Sequence, residues 1–494
     1  MLNFSTFGII KITSLLYSSN DCYKNKKMKS GKFWYDLPAT ETDTERRAMM
    51  ETRWMSTLIC LVGAALISGC AALNDYQVSG ELPASGLSSP ATVLRDEKGM
   101  AYIRAASIAD ALRAQGFVSA QDRLFQMELS RRVAAGRLSE VVGAEKEKHD
   151  TWMRTLGIYR QARRHARILD DETRAFFQHY ADGVNAYLGT RAADTLQWEL
   201  RFAGIEPEPW TVEDSLAILY LMAWITSANI QTEGVTQTLV ETLGLEKARE
   251  IFPLNFNPDD PSGSALPLAS LPPGMAKVGF GVDGQWSAWR RGPKMLGLGS
   301  NNWISGPERS AGGKPIVAND PHLEVALLPG PWYPVGLITP AFRAVGANIA
   351  GIPGIVVGRT DHIACGITNA YGDMQDLYVE TVDPEDPGRY LEGDRSIPFE
   401  TIEETIRIRD EQAPGGILTE TVNIRSTRRG PVVSDVLKGL ETEKVITLRF
   451  APFETMHGAV GFDKLLTARS VDEALDAARE INMICLNFVV ADTA

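Results

Sequence analysis

Gly299-Ser300-Asn301-Asn302-Trp303 is the stretch whose residue types could make a complete catalytic unit after one cut. Broken before Ser300, the chain would begin with a residue carrying both a hydroxyl nucleophile and a free α-amine. Such an amine titrates near pH ~8, well below a lysine, so a single residue could supply nucleophile and general base. The same letters also read as an ordinary turn, because Gly, Ser and Asn favour loops. His322, in Asn319-Asp-Pro-His, could add an acid or base, although a lone histidine is usually structural. Asp373 and Asp376 could share a hard cation through oxygen ligands, or form a solvated loop edge.

Two longer stretches narrow these alternatives. Ser300-Asn-Asn-Trp-Ile-Ser-Gly runs on to Gly313-Lys-Pro-Ile-Val-Ala-Asn-Asp-Pro-His-Leu323, and far upstream lies Ala114-Gln-Gly-Phe-Val-Ser-Ala-Gln-Asp-Arg-Leu-Phe-Gln-Met-Glu-Leu129, followed by Gly136-Arg-Leu-Ser-Glu-Val-Val-Gly143. Together they resemble the β-chain start and the α-chain signature of the penicillin acylase (penicillin amidase) family of N-terminal nucleophile hydrolases. The resemblance covers roughly residues 90 to 494.

It implies an α+β fold, an αββα sandwich of two stacked antiparallel sheets between helical layers, with Ser300 opening a strand in the middle. It also implies one precursor that yields α and β chains, the Ser300 hydroxyl attacking the Gly299 carbonyl; a glycine there eases the close approach. Carried over residue by residue, Ser300 is the nucleophile and its amine the base. His322 matches a histidine that cephalosporin and acyl-homoserine-lactone acylases place beside the serine, where penicillin G acylase has glutamine. The oxyanion donors map to the backbone N–H of Asn369 and the side chain of Asn487. Met222, Trp224 and Ile225 map to the wall of an acyl pocket, an apolar helix face being otherwise plain core. Asp373, Asp376 and, with a one-residue shift, Glu233 map to calcium-binding positions, so calcium is the one cofactor implied. The expected substrate is a small N-acyl compound such as a β-lactam side-chain amide or an acyl-homoserine lactone.

The elements that must position these groups read as follows. Ala91–Asp96 and Met100–Arg104 alternate as two short strands, and a helix begins at Ser107 with Asp110 as a capping partner. Phe117, Ala120, Leu124 and Met127 share one helical face, and Gln121-Asp122-Arg123 reads as a solvated edge or a structural ion pair, a structural role rather than a catalytic site. Helices are expected over 156–190 and 211–250, with Glu206-Pro-Glu-Pro-Trp210 as a turn and Thr211 as an N-cap. Residues 254–299, rich in Pro and Gly, read as the spacer removed during maturation. Beyond Ser300, Ile316-Val317, Ala344–Ile349, Ile355–Gly358 and Val445–Arg449 read as strands.

The 494-residue chain has a net charge of −12 and a pI near 5.2. With no basic-aromatic stripe, a nucleic-acid partner is excluded from the reading. Cys22, Cys60, Cys70, Cys365 and Cys485 show no zinc spacing. Cys365 and Cys485 read as small packed thiols, a disulfide between them staying open. Residues 1–48 are an unassigned extension. Residues 49–70 have the build of an export signal, Leu58–Ile67 being apolar and Ile67-Ser-Gly-Cys70 a lipobox. Cys70 is then the lipidated residue, and residues 71–90 a tether from a bacterial membrane into the periplasm. Family β chains run several hundred residues past the equivalent of Ala494, so the chain is expected to be C-terminally truncated. The rival reading is a non-catalytic, membrane-tethered remnant that binds ligands or partners.

Overall fold

The computed structural model describes residues 8–14, 79–190, 196–227, 239–240, 242–251, 300–323, 329–370, 372–436 and 444–493. The first long helix, α1 (Ile108–Ala135), starts where the local chemistry requires: the Ser107 side chain accepts from the Asp110 N–H. Asp110 does not reciprocate in the expected box. Its carboxylate instead takes the Ser88 N–H and hydroxyl at 2.9 and 2.5 Å, tying the helix start to the preceding loop. The face formed by Phe117, Ala120, Leu124 and Met127 is buried.

Four further helices surround α1: α2 (Glu147–Leu156), α3 (Ile158–Ile168), α4 (Asp171–Gly189) and α5 (Val212–Thr226). The helix expected over 156–190 is thus two, because Asp170 turns its side chain to accept from Thr173 N and begins a new helix. Thr211 and Asp214 form a reciprocal capping box at the start of α5. That helix ends at Thr226, and α6 (Leu245–Ile251) follows separately. Helices α1 and α4 approach almost backbone to backbone. A Cβ on Gly116 would lie 2.0 Å from the Tyr180 carbonyl oxygen, and one on Gly183 would lie 1.8 Å from that of Arg113.

The strands are β1 (Gly8–Ser14), β2 (Gly80–Ala84), β3 (Ala91–Arg95), β4 (Ala101–Arg104), β5 (Ser300–Ser305), β6 (Ile316–Pro321), β7 (Trp332–Ile338), β8 (Arg343–Ile349) and β9 (Val357–Arg359). They continue with β10 (Ile363–Asn369), β11 (Gln375–Val382), β12 (Arg389–Glu392), β13 (Arg395–Pro398), β14 (Glu400–Arg409), β15 (Ile417–Thr427), β16 (Gly430–Pro431), β17 (Val445–Phe450) and β18 (Leu486–Asp492).

The α+β reading holds, but the sheets are arranged differently from the expected antiparallel pair. A nine-stranded sheet runs β18-β10-β9-β8-β7-β4-β3-β1-β2 and is mixed, since β1–β3 and β4–β7 pair in parallel. The parallel β4–β7 step follows from connectivity: the whole helical half lies between those strands, and a parallel pair needs such a crossover. Smaller sheets are β13-β12-β11-β17 and β14-β15-β16, and β5–β6 forms a two-stranded hairpin. Two front-end readings change as well. The supposed tether contains β2, whose Ala84 is buried, and the unassigned extension contains β1, paired to β2 and β3. The run expected as a strand from Ile355 is extended only from Val357, with Ile355 and Val356 buried in the turn before it.

Gln121-Asp122-Arg123 is the structural device it was read to be. Asp122 receives both ends of the Arg95 guanidinium at 2.8 and 2.9 Å and the Tyr333 hydroxyl at 2.7 Å, joining β3, α1 and β7. Gln121 accepts from the same guanidinium at 2.9 Å. The helix breaks regular geometry at Arg123 (φ −138°, ψ 15°), whose guanidinium donates to Gly330 O and lies over the Tyr333 ring. Among the described residues no helix is long and apolar enough to cross a membrane.

Candidate active site

β5 opens on Ser300 itself. The hairpin register sets Ser300 opposite Pro321, Asn301 opposite Asp320 and Asn302 opposite Asn319. Because strand side chains alternate between faces, Ser300, Asn302 and Asn319 share one face, and Asn301 and Asp320 share the other.

The first face lies against β10 and β18. The Asn319 carboxamide donates to Ile367 O at 2.9 Å and accepts from Ile367 N at 3.1 Å, and it also donates to Asn301 O at 3.3 Å. Asn302 makes longer bonds of 3.4 Å to the carbonyls of Gly366 and Asn487. Neither asparagine stood out in the sequence; the available hint was that both flank the motifs already singled out.

β10 and β18 pair antiparallel, with Thr368 opposite Asn487 and Asn369 opposite Leu486. The two expected oxyanion donors, far apart in sequence, are therefore diagonal neighbours on adjacent strands. The Asn487 side chain donates to Thr368 Oγ1 at 3.2 Å and to Asn369 O at 3.4 Å. Asn369 uses its side chain differently, donating to Thr226 O at 2.8 Å and so fastening the last residue of α5 to the end of β10.

His322 lies on the other side of the hairpin. Its Nε2 is 3.2 Å from the Asn301 amide and its Nδ1 is 3.5 Å from Asp320 Oδ1. The ring thus lies between the Asn301 amide and the Asp320 carboxylate. The ring is 35% exposed.

The three expected wall residues reach this neighbourhood on the last turns of α5. Trp224, however, is buried with its ring edge-on to Phe450 at 5.5 Å and tilted against Trp152 at 6.1 Å, as core residues pack. Met222 and Ile225 are partly buried against the same core.

Asp376 is the second residue of β11, opposite Arg449 of β17, and Asp373 is exposed in the loop before that strand. Among the described residues no three His, Cys, Asp or Glu side chains group to hold a metal ion. Calcium takes about six to eight oxygens, more than these two carboxylates supply by themselves. Cys70, Glu233 and Gly299 lie outside the described residues, as does the 254–299 linker. Cys365 and Cys485 are free thiols; Cys365 is buried, which pushes its thiol up to about 11.

A family model described as penicillin amidase matches residues 90–494. The chain is 34% identical over 434 residues to the acyl-homoserine lactone acylase QuiP of Pseudomonas aeruginosa, covering 84% of this chain and 49% of that protein. It is 34% identical over 431 residues to the penicillin acylase 2 proenzyme of a Pseudomonas species, covering 84% and 53%. To the penicillin G acylase of Escherichia coli it is 26% identical over 385 residues, covering 68% and 45%. The chain thus spans about half the length of the curated relatives it matches.

Proposed function

Because this chain belongs to the penicillin amidase family, we propose that it hydrolyses the amide bond of a small N-acyl compound through Ser300, exposed by self-cleavage after Gly299. The observation that carries the reading is the position of Ser300 as the first residue of β5, on a hairpin held against the two strands that bear Asn369 and Asn487. In this mechanism the new α-amine takes the Ser300 proton through a water, and the alkoxide adds to the substrate carbonyl. The Asn369 N–H and the Asn487 carboxamide stabilise the oxyanion, which requires Asn487 to turn from Thr368. The α-ammonium returns its proton to the leaving nitrogen as the C–N bond breaks and the amine product departs, and a water deprotonated by the same α-amine hydrolyses the acyl ester to free acid and Ser300 hydroxyl.

His322 assists from the flank, coupled to the nucleophile strand through Asn301. The names of the relatives point to acyl-homoserine lactones or β-lactam side-chain amides, and the histidine favours a substrate other than penicillin G. Lipidation at Cys70 holds the protein at the periplasmic face of a bacterial membrane.

Mass spectrometry of the full-length protein tests the reading. It expects a new N-terminus at Ser300, absent in Ser300→Ala, together with turnover of acyl amides of graded chain length. An intact chain, or turnover that survives Ser300→Ala, overturns it; an intact chain without turnover points to a ligand-binding remnant.

A further inference from the structure

We propose that Asn319 is a positioning residue for this reaction. Its carboxamide sets the hairpin carrying Ser300 in register with the strand carrying Asn369, and Gly366 is small so that the carboxamide can lie there. The inference rests on the function proposed above.

A single side chain here does the work of a neighbouring strand. β9 pairs with β10 only at Ala364 and Cys365, so Ile367 lies past the end of that cover. Asn319 supplies a donor and an acceptor to the Ile367 carbonyl and N–H, as a peptide group would, and its second amide hydrogen reaches Asn301 O on the nucleophile strand. Aspartate has the acceptor without the donor, and leucine has neither.

The placement gives the clamp its leverage. Asn319 faces Asn302, two positions after Ser300, and holds Ile367, two positions before Asn369. A slip of the hairpin along β10 therefore changes directly the distance between the nucleophile and its oxyanion donor. Misplacement by ~1 Å can cost on the order of 100-fold in rate.

Gly366 is the complementary half. A Cβ there would lie 3.0 Å from Asn319 Cβ, 3.2 Å from its Cγ and 3.2 Å from Val489 Cγ2. Its backbone is not left-handed, so what a Cβ would disturb there is room and not conformation: it would press on the Asn319 side chain and Val489.

The test uses the full-length protein, with Asn319→Leu, Asn319→Asp and Gly366→Ala made singly and Asn319→Leu combined with Gly366→Ala. Activity is read on a chromogenic N-acyl anilide that the wild type turns over, and amide hydrogen exchange is read at Ile367. The expected result is a fall in kcat of about tenfold or more in each single variant with KM nearly unchanged. Exchange at Ile367 should be faster in Asn319→Leu, which removes the acceptor of its N–H, and stay slower in Asn319→Asp, which keeps that acceptor and loses only the donor to Ile367 O; the double variant should be no worse than the poorer single one, since both release the same clamp. Unchanged kcat in Asn319→Leu, or unchanged protection of Ile367 in that same variant, overturns the proposal and leaves the Ser300 assignment standing. Failure of that assignment shows separately, as a wild type lacking the Ser300 terminus or as activity surviving Ser300→Ala.

Discussion

Asp122→Asn should destabilise the protein by about 3 kcal/mol, the lower end of the roughly 3–5 kcal/mol that follows when one partner of a buried ion pair is removed. The carboxylate and the Arg95 guanidinium are only 14% and 11% exposed, and they meet in a two-bond geometry at 2.8 and 2.9 Å. Asparagine keeps one acceptor for Arg95 or for Tyr333, which places the cost at the lower end, but it removes the negative charge that the guanidinium faces, and the Gln121 and Gly99 oxygens it also bonds are neutral. Burial holds the Tyr333 hydroxyl well above its usual range, so it stays a neutral donor and cannot replace the lost negative charge. Urea unfolding followed by circular dichroism and tryptophan fluorescence reads the effect. The apolar triple variant Arg95→Met, Asp122→Leu, Tyr333→Phe should recover most of the loss, because it removes the desolvated groups together. A single variant within about 1 kcal/mol of wild type, or a triple variant as unstable as the single, would refute the reasoning.

Three further outcomes can be checked directly. His322→Gln should keep self-cleavage and lower kcat by less than about tenfold, well short of the roughly 100-fold or greater effect available to a direct general base; steady-state kinetics on the processed enzyme decide it. Gly116→Ala should cost about 3 kcal/mol or more, at or above the usual overpacking range, because the added methyl meets the Tyr180 carbonyl on a rigid helix; the denaturation midpoint reports it. Hydrogen bonds from Arg137 hold Glu208 down to about 2. Its contribution is therefore complete above the unfolded carboxyl's range near 4.5 and is lost as pH falls toward about 2. Glu208→Gln should lower stability near pH ~7, where the contribution is complete, flatten the acid limb of a stability–pH curve across that window and converge with the wild type as pH falls toward about 2.

Some of this protein was legible in the sequence because the cause lay within a turn of its effect. The Ser107 cap, the Thr211 cap and the buried stripe from Phe117 to Met127 involve residues three to ten apart, so residue type and spacing were enough. The Ser300 motif was equally readable, and the strand does begin there. What the sequence could not determine was partner choice across long separations. Asp110 turned to Ser88 instead of completing its own box, and Trp224 packed against Phe450 as core. His322 turned toward Asn301 and Asp320 rather than joining the face of Ser300. The adjacency of Asn369 and Asn487, 118 residues apart, exists only through the β10–β18 register, and the Asn319 clamp only through the packing of the hairpin on β10. A cap is chosen by competition among a few nearby donors, whereas a sheet register is chosen by which faces of the whole chain can be buried together. That selection is made by tertiary packing.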